Sequence, residues 1–508
     1  MKTKQRVLFV LSAIAVISCR QPRQVNEDDF KMDLRYSPIW WQTAINLPDE
    51  VQKTFVDDQG VIYYDYINKY ENGKWTNGPF NGCNLAIGAG IDSVQKENVS
   101  QKLFSSKVPM LLTSYPLRDV EVTMEAFAVA PALKSAASDS CELSKTYFGY
   151  PHNDLLIVKV ANKSQKETTV SPRIFVKSAY PVIADKNNKS ILFDKRIKMI
   201  LPVEGKLDIQ EKDKKFTGSV SLGSVSLKAG ADTTFVVSMN IGSKAEMIPA
   251  DLKTAMDYRS KAIEYWKTYP FPYSNISVPD SNVQGLVNSC IRNIYQAREI
   301  KKGLPAFQVG PTCYRGLWII DGSFLLESMT FLGQMNDVRN GIEYMLSFQN
   351  KNGSVLIMDH HWKETGIVLW VVKRHAQLTG DKQWLESKWD NVVRAVGFID
   401  TMRYRTMTDK NAPNYGLIPD GFSDGGLGEM KMEYTNVYWT LNGLKSAVDI
   451  AKTLQKEKED VYKRQVAGLA AACRPTSRGS VRPIRAAAAA GAALASAHPC
   501  LLYTSRCV

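Results

Sequence analysis

Apolar residues recur along this chain with two different spacings, and the change from one to the other divides it. Between residues 30 and 245 they alternate with polar positions or gather in short β-branched runs, at 60–66, 120–128, 155–160, 174–176 and 233–239. Successive side chains of a strand point to opposite faces, so a period of two is the mark of strands with one buried face. Clusters of Asn, Asp, Gly and Pro between the runs supply the turns. Many short strands with no helical pattern between them predict a β-sandwich. The charged stretches 187–189 and 211–215 read as solvated hairpin tips. The period then lengthens. Leu252, Met256, Tyr258, Ala262, Tyr265 and Trp266 lie at helical spacing and end in a Pro-rich break over 270–279. From Ser281 the pattern predicts helices at about 281–301, 321–333, 336–349, 364–379, 382–404 and 434–454. The expected organisation is a β-sandwich over 30–245, a helical linker over 246–280 and a helical domain over 281–459.

The connections between these helices carry more information than the helices. Those around 333–336 and 379–382 are tight, as in antiparallel helix hairpins. Those leading into the helices near 321, 364 and 434 are long and rich in Gly, Pro, His, Asp and aromatics. Antiparallel helices alternate direction, so the long loops share one face of the domain. Long structureless loops in compact domains are usually functional. Each also delivers an acidic residue to a helix start: Asp321, Glu364 and Glu433.

The two ends of the chain stand apart. Lys2, Lys4 and Arg6 precede an apolar run from Val7 to Ile17, too short to span a bilayer, and then Ser18 and Cys19. This is a secretory signal over 1–18, and the cysteine behind it resembles the lipobox of bacterial lipoproteins. Cys19 is therefore the expected lipidation site, residues 19–29 a tether, and the cell envelope, at the periplasmic face or the surface, the expected location. Each buried CH₂ of an acyl chain contributes roughly 0.8 kcal/mol to membrane attachment. At the other end, residues from Val461 onward hold seven Lys or Arg and no Asp or Glu, followed by an alanine-rich block. Residues 460–465 resemble the translation of a transposase adaptor used in sequencing libraries. Residues 500–505 match its opposite strand, and 506–508 begin it again. Residues 460–508 are accordingly set aside as an artefactual tail. The overall charge of +13 then falls to +3 for residues 19–460, once the seven tail charges and the three signal charges are removed. The basic balance that would invite a nucleic-acid partner disappears with them. Of the cysteines outside the ends, Cys83, Cys141, Cys290 and Cys313 show no metal-type spacing. The reading calls for no metal and no cofactor.

Four segments carry a family resemblance. They are 314–324, with Arg315, Trp318 and Asp321; 360–370, with His361, Trp362 and Glu364; 416–426, with Asp420 and Asp424; and 433–439, with Glu433 and Tyr434. They resemble the six-hairpin (α/α)6 glycosidases, most closely the bacterial glucoamylase and α-L-rhamnosidase-like families. A β-sandwich, a helical linker carrying a tryptophan (here Trp266) and a toroid of helix hairpins follow one another in those enzymes too. The resemblance implies a multidomain β + α protein ending in a truncated (α/α)6 toroid. It implies a glycoside hydrolase, acting with inversion on oligosaccharides or polysaccharide ends through paired carboxylates, with carbohydrate as its partner.

The residue types suit that chemistry. Glycoside cleavage uses one carboxylic acid to protonate the leaving oxygen and a second carboxylate to activate water or attack. The position of Asp424 before the 434–439 segment is near where the glucoamylase family places its acid, with Glu429, Glu433 and Asp420 as alternatives. Glu364 is a further catalytic candidate. Trp318, Trp362 and Tyr434 offer platforms for sugar rings, while Arg315, Asp321, His361 and Asp420 offer hydrogen bonds to hydroxyls. Simpler roles stand beside these. Asp321 can serve as a helix N-cap, Glu364 can favour a helix dipole, Asp424 can form a turn, and Trp370 with its neighbours reads as core. The adjacent His360 and His361 would face opposite ways on a strand, leaving at least one structural. Three other functions remain open at this point: a polysaccharide lyase or a sugar phosphorylase on the same toroid, or a glycan-binding lipoprotein without catalysis. Six helices are half of what a six-hairpin ring needs, so the chain is expected to be incomplete and inactive, with the base beyond Glu459.

Overall fold

The computed structural model describes residues 42–456 except 72–73, 92–97, 130–151, 188, 195–196, 242–246, 313–314 and 423–429. The expected signal, Cys19, the tether and the tail lie outside the described residues, as do Cys141 and Cys313. The chain divides into two compact units, Met1–Gln296 and Ala297–Val508.

The first unit is built on two antiparallel sheets. One has seven strands in the order Gln42–Ala44, Phe55–Asp57, Ile62–Tyr66, Cys83–Gly90, Arg173–Ser178, Lys215–Ser221, Lys206–Lys212. The other has eight, in the order Ile183–Ala184, Ser190–Asp194, Ile197–Ile200, Asp232–Ile241, His152–Asn162, Val120–Val129, Leu111–Leu117, Ser100–Leu103. Both faces of the sandwich feed one core, in which Ile87, Ile174 and Val176 of the first sheet meet Met124, Val158 and Met239 of the second. The alternation behind this is visible in Arg173–Ser178, where Ile174, Val176 and Ser178 are buried and the residues between them face outward. Both charged stretches fall at the connections of antiparallel strand pairs. At 211–215 the pair Lys212–Lys215 closes a turn whose central residues, Asp213 and Lys214, both have positive φ (51° and 58°). That is the type I′ geometry whose twist matches the flanking strands.

Two helices complete this unit. Helix α1 (Leu252–Thr268) is capped by Asp251, whose side chain accepts from Thr254 N. It is tied to the eight-stranded sheet by Arg259, which donates to both carboxylate oxygens of Glu125 at 2.6 and 2.9 Å. Trp266 is buried and stacks on Phe271. Helix α2 (Ser281–Ala297) has the helical period of the segments after it, so the sequence groups it with them. The contacts group it with the sheets. Arg292 Nη1 donates to Ser106 O at 2.8 Å, and Gln296 Nε2 donates to the carbonyls of Ala44 and Asn46 at 3.0 and 2.9 Å.

The second unit is helical, with helices α3 (Ile319–Phe331), α4 (Met335–Leu346), α5 (Lys363–Thr379), α6 (Lys382–Ser387), α7 (Trp389–Arg405) and α8 (Tyr434–Thr453). The single helix expected over 382–404 is two. They join at Lys388 (φ −99°, ψ 1°), which ends α6 and begins α7. A continuous apolar stripe conceals such a break, because no Gly or Pro marks it. Helix α5 packs against both α3 and α8. Its crossing with α8 is a backbone contact: a Cβ on Gly443 would stand 2.5 Å from Gly366 Cα, and one on Gly366 would stand 2.3 Å from Trp439 O. Only glycine at both positions allows this approach. Trp370 is no simple core residue; half-buried, it forms an aromatic cluster with Phe324 of α3 and Trp439 of α8. Among the described residues no helix is long and apolar enough to cross a membrane.

Candidate active site

The close crossing of α5 and α8 sets their first turns together, and the gathering of charge there follows from it. Lys363, the first residue of α5, is 1% exposed. Its backbone N–H donates to Asn436 Oδ1 at 3.2 Å, and Asn436 Nδ2 lies 3.5 Å from Glu433 Oε2. Burial lowers the pKa of the Lys363 ammonium, while the charges of Glu433, Glu364 and Asp321 act against that shift. The three acidic residues that the long loops deliver to helix starts thus all act electrostatically on one buried lysine, the first contributed by α3, the second by α5 and the third by the residue before α8.

Their environments differ. Asp321 sits in the first turn of α3 and is not its N-cap, a position held by Trp318. The residue is exposed, yet the surrounding protein removes enough hydration from its carboxyl to raise its pKa, against the pull of Lys363. Glu433 is the N-cap residue of α8 but makes no side-chain capping bond, so its carboxylate is directed to Asn436 and Lys363 instead. Glu364 is 3% exposed and engaged at both oxygens. Oε2 accepts the N–H of Ile357 at 2.8 Å, and Oε1 lies 3.2 Å from Nδ1 of His361.

The histidines are not on a strand. His360 takes a left-handed backbone (φ 65°) and its side chain is exposed, while its carbonyl accepts the Phe422 N–H at 3.0 Å. The turn this makes drives His361 inward, where it is 2% exposed. The His361 ring is flanked by Phe422 (ring centroids 4.8 Å apart) and Trp318 (6.4 Å). Trp362 is half-buried and donates from Nε1 to Asp420 O at 2.9 Å, so Asp420 joins the site through its backbone while its carboxylate points to Asn414 Nδ2 at 3.5 Å. Gly421 has no room for a side chain, since a Cβ would lie 2.8 Å from Asn436 Nδ2, His360 O and Trp362 Cδ1. The loop 416–422 is thereby pressed onto the starts of α5 and α8.

The remaining candidates are more peripheral. Tyr434 is exposed and stacks on Tyr438 at 5.9 Å. Arg315 donates from Nε to the buried Glu299 at 2.8 Å, which commits that part of the guanidinium to the protein. Asp424 and Glu429 lie outside the described residues. Lys363 and Asn436 are the residues the sequence reading missed. A lysine at a helix start reads as a solvated charge, and only the position of Asn436 one turn after Glu433 marks it. Among the described residues no group of three or more His, Cys, Asp or Glu is arranged to hold a metal ion.

No family model matches the chain. Over 225 residues, 42% of this chain, the sequence is 20% identical to an uncharacterised glycosyl hydrolase of Methanocaldococcus jannaschii, of which it covers 34%. The chain thus spans about a third of the length of that curated relative. Among solved structures it is similar to a GH92 family glycosyl hydrolase, with a TM-score of 0.33 and 7% identity over 84% of this chain and 61% of the other. It is similar to a GH92 α-mannosidase of Bacteroides thetaiotaomicron, with 0.34 and 8% over 84% and 62%. It is also similar to a GH78 rhamnosidase of a Bacillus species, with 0.29 and 9% over 66% and 34%.

Proposed function

We propose that this protein is a glycoside hydrolase whose helical unit binds carbohydrate at the first turns of α3, α5 and α8. The observation that carries the reading is the junction of the starts of α5 and α8, where Lys363 N meets Asn436 and Asn436 meets Glu433, with Glu433, Glu364 and Asp321 all acting on the buried Lys363 charge. Hydrolysis of an acetal needs one carboxyl that holds its proton and one that stays ionised. Asp321 suits the first role, because it is open to solvent and its pKa is raised by lost hydration. Glu433 is the candidate for the second on its position at the start of α8, beside Asn436. Asp424 and Glu429 precede it in the same loop and are candidates for the acid on the resemblance alone. The sequence similarity to a glycosyl hydrolase favours this chemistry. The six-hairpin toroid, inversion at the anomeric carbon and the anchor at Cys19 are parts of the same proposal.

The test is turnover of a panel of aryl glycosides, α-mannosides and α-L-rhamnosides included, by the 508-residue chain and by the product of the uninterrupted gene. The reading predicts hydrolysis by the uninterrupted product, reduced by a factor of 10² to 10⁴ in Asp321→Asn and in Glu433→Gln, the usual scale for an acid–base group. Undiminished turnover in both variants would refute the assignment.

A further inference from the structure

The catalytic role anticipated for Glu364 does not suit its surroundings. A carboxyl that protonates a leaving group needs an oxygen in reach of substrate. Both oxygens of Glu364 are already engaged, Oε2 accepting from Ile357 N and Oε1 against His361 Nδ1, so neither is left for a leaving group. The group with an uncommitted atom is its partner. His361 Nε2 is buried and has no hydrogen-bond partner among the described residues. An orphaned polar atom of this kind is rare in a folded protein and calls for an explanation. A carboxylate oxygen only accepts, so the hydrogen between Glu364 and His361 belongs on Nδ1. A neutral ring with that hydrogen on Nδ1 would carry its lone pair on Nε2.

We infer that Glu364 is a positioning residue, which fixes His361 in the tautomer protonated on Nδ1 so that its Nε2 accepts a hydrogen bond from a hydroxyl of bound carbohydrate. This rests on the carbohydrate reading above and adds to it the atom that meets the ligand. The flanking rings suit such a ligand. The rings of Trp318 and Phe422 both lie near the imidazole, at 6.4 and 4.8 Å between centroids, and supply apolar surface of the kind a sugar ring face packs on. Because His361 Nε2 is buried, the proposal requires a neighbouring side chain to move, and Phe422, half-buried in a two-residue strand, is the one adjacent to the ring.

Two measurements decide the proposal. The first needs no variant to fold differently: ¹⁵N spectra of the 508-residue chain with labelled histidine, the His361 signals being those absent in His361→Gln. The chain has five histidines, which keeps assignment simple. The expected result is a neutral His361 ring with hydrogen on Nδ1, and a shift of the population toward hydrogen on Nε2 in Glu364→Gln, whose amide no longer imposes one tautomer. Hydrogen on Nε2 in the unaltered chain, or an unchanged tautomer in Glu364→Gln, would overturn the positioning role. The second measurement is titration with the p-nitrophenyl glycoside of the panel that binds most tightly. Loss of one hydrogen bond should weaken it roughly five- to tenfold in His361→Ala, and equal affinity would refute the contact with Nε2. If no glycoside binds the unaltered chain, the carbohydrate assignment fails, while the tautomer still decides the pairing of Glu364 with His361.

Discussion

Replacing Gly443 by alanine tests whether the crossing of α5 and α8 holds the site together. The added methyl would lie 2.5, 2.6 and 2.9 Å from Gly366 Cα, O and C, whereas carbon atoms pack at about 3.5–4.0 Å. Backbone cannot rotate away as a side chain can, so the helices must part by about 1 Å. Overpacking of this kind costs roughly 1–3 kcal/mol. The same mutation at Gly397 is the control. That glycine is exposed within α7 with nothing within 4 Å of its notional Cβ, so alanine there gains about 1 kcal/mol of helix propensity. With a urea slope of about 2 kcal/mol/M, Gly443→Ala should lower the midpoint of the helical unit by roughly 1 M and Gly397→Ala should raise it by roughly 0.5 M. Tryptophan fluorescence reports the transition, since Trp370 and Trp439 lie in the cluster that spans these helices. Separation of the helices also lengthens the 3.2 Å bond from Lys363 N to Asn436 Oδ1 beyond hydrogen-bonding range, so glycoside binding should weaken with stability. Equal midpoints for the two variants would show that the crossing is not the constraint described.

Further predictions concern charge and anchoring. Lys363→Met removes the ammonium that holds the Asp321 pKa down, so the ¹³C-detected titration of Asp321 should move to higher pH; an unchanged or lower midpoint would place the lysine elsewhere. In the β unit, burial alone would lower the His152 pKa, but Glu50 at 3.1 Å and Asp154 at 3.5 Å raise it well above the ordinary 6.5. A raised folded-state pKa contributes stability below about pH 6.5 that is lost as pH rises through the folded value. Thermal unfolding of the sheets should therefore fall in temperature across the alkaline range, and a flat profile would contradict the ion cluster. Metabolic labelling with a radioactive fatty acid should mark the natural protein and leave Cys19→Ala unmarked, whereas equal labelling of both would remove the anchor.

Much of the architecture was legible because it rests on periodicity. The strands around 120–128, 155–160 and 233–239 are neighbours in one sheet, and the helix starts at Asp321, Glu364 and Glu433 fall where the loops predicted. What the sequence concealed depends on contacts without a period. Helix α2 sides with the sheets through Arg292 and Gln296, two polar residues that any helix surface might carry. Lys388 breaks the 382–404 helix with ordinary dihedrals and no marker residue. The site shows the same division. Acidic residues before helices were conspicuous, but the buried lysine they act on and the asparagine joining α5 to α8 were not, because neither residue type announces burial. Glu364 stands at the start of α5, and that both its oxygens are engaged is a contact no spacing in the sequence could announce.

The most direct test of the central claim follows the tryptophan indole N–H signals of the 508-residue chain as an aryl glycoside is added. The account predicts that Trp318 and Trp362, at the starts of α3 and α5, shift in a saturable way while Trp266 of α1 does not. Signals of Trp318 and Trp362 that stay fixed while others move, or no movement at any glycoside concentration, would contradict a carbohydrate site at these helix ends.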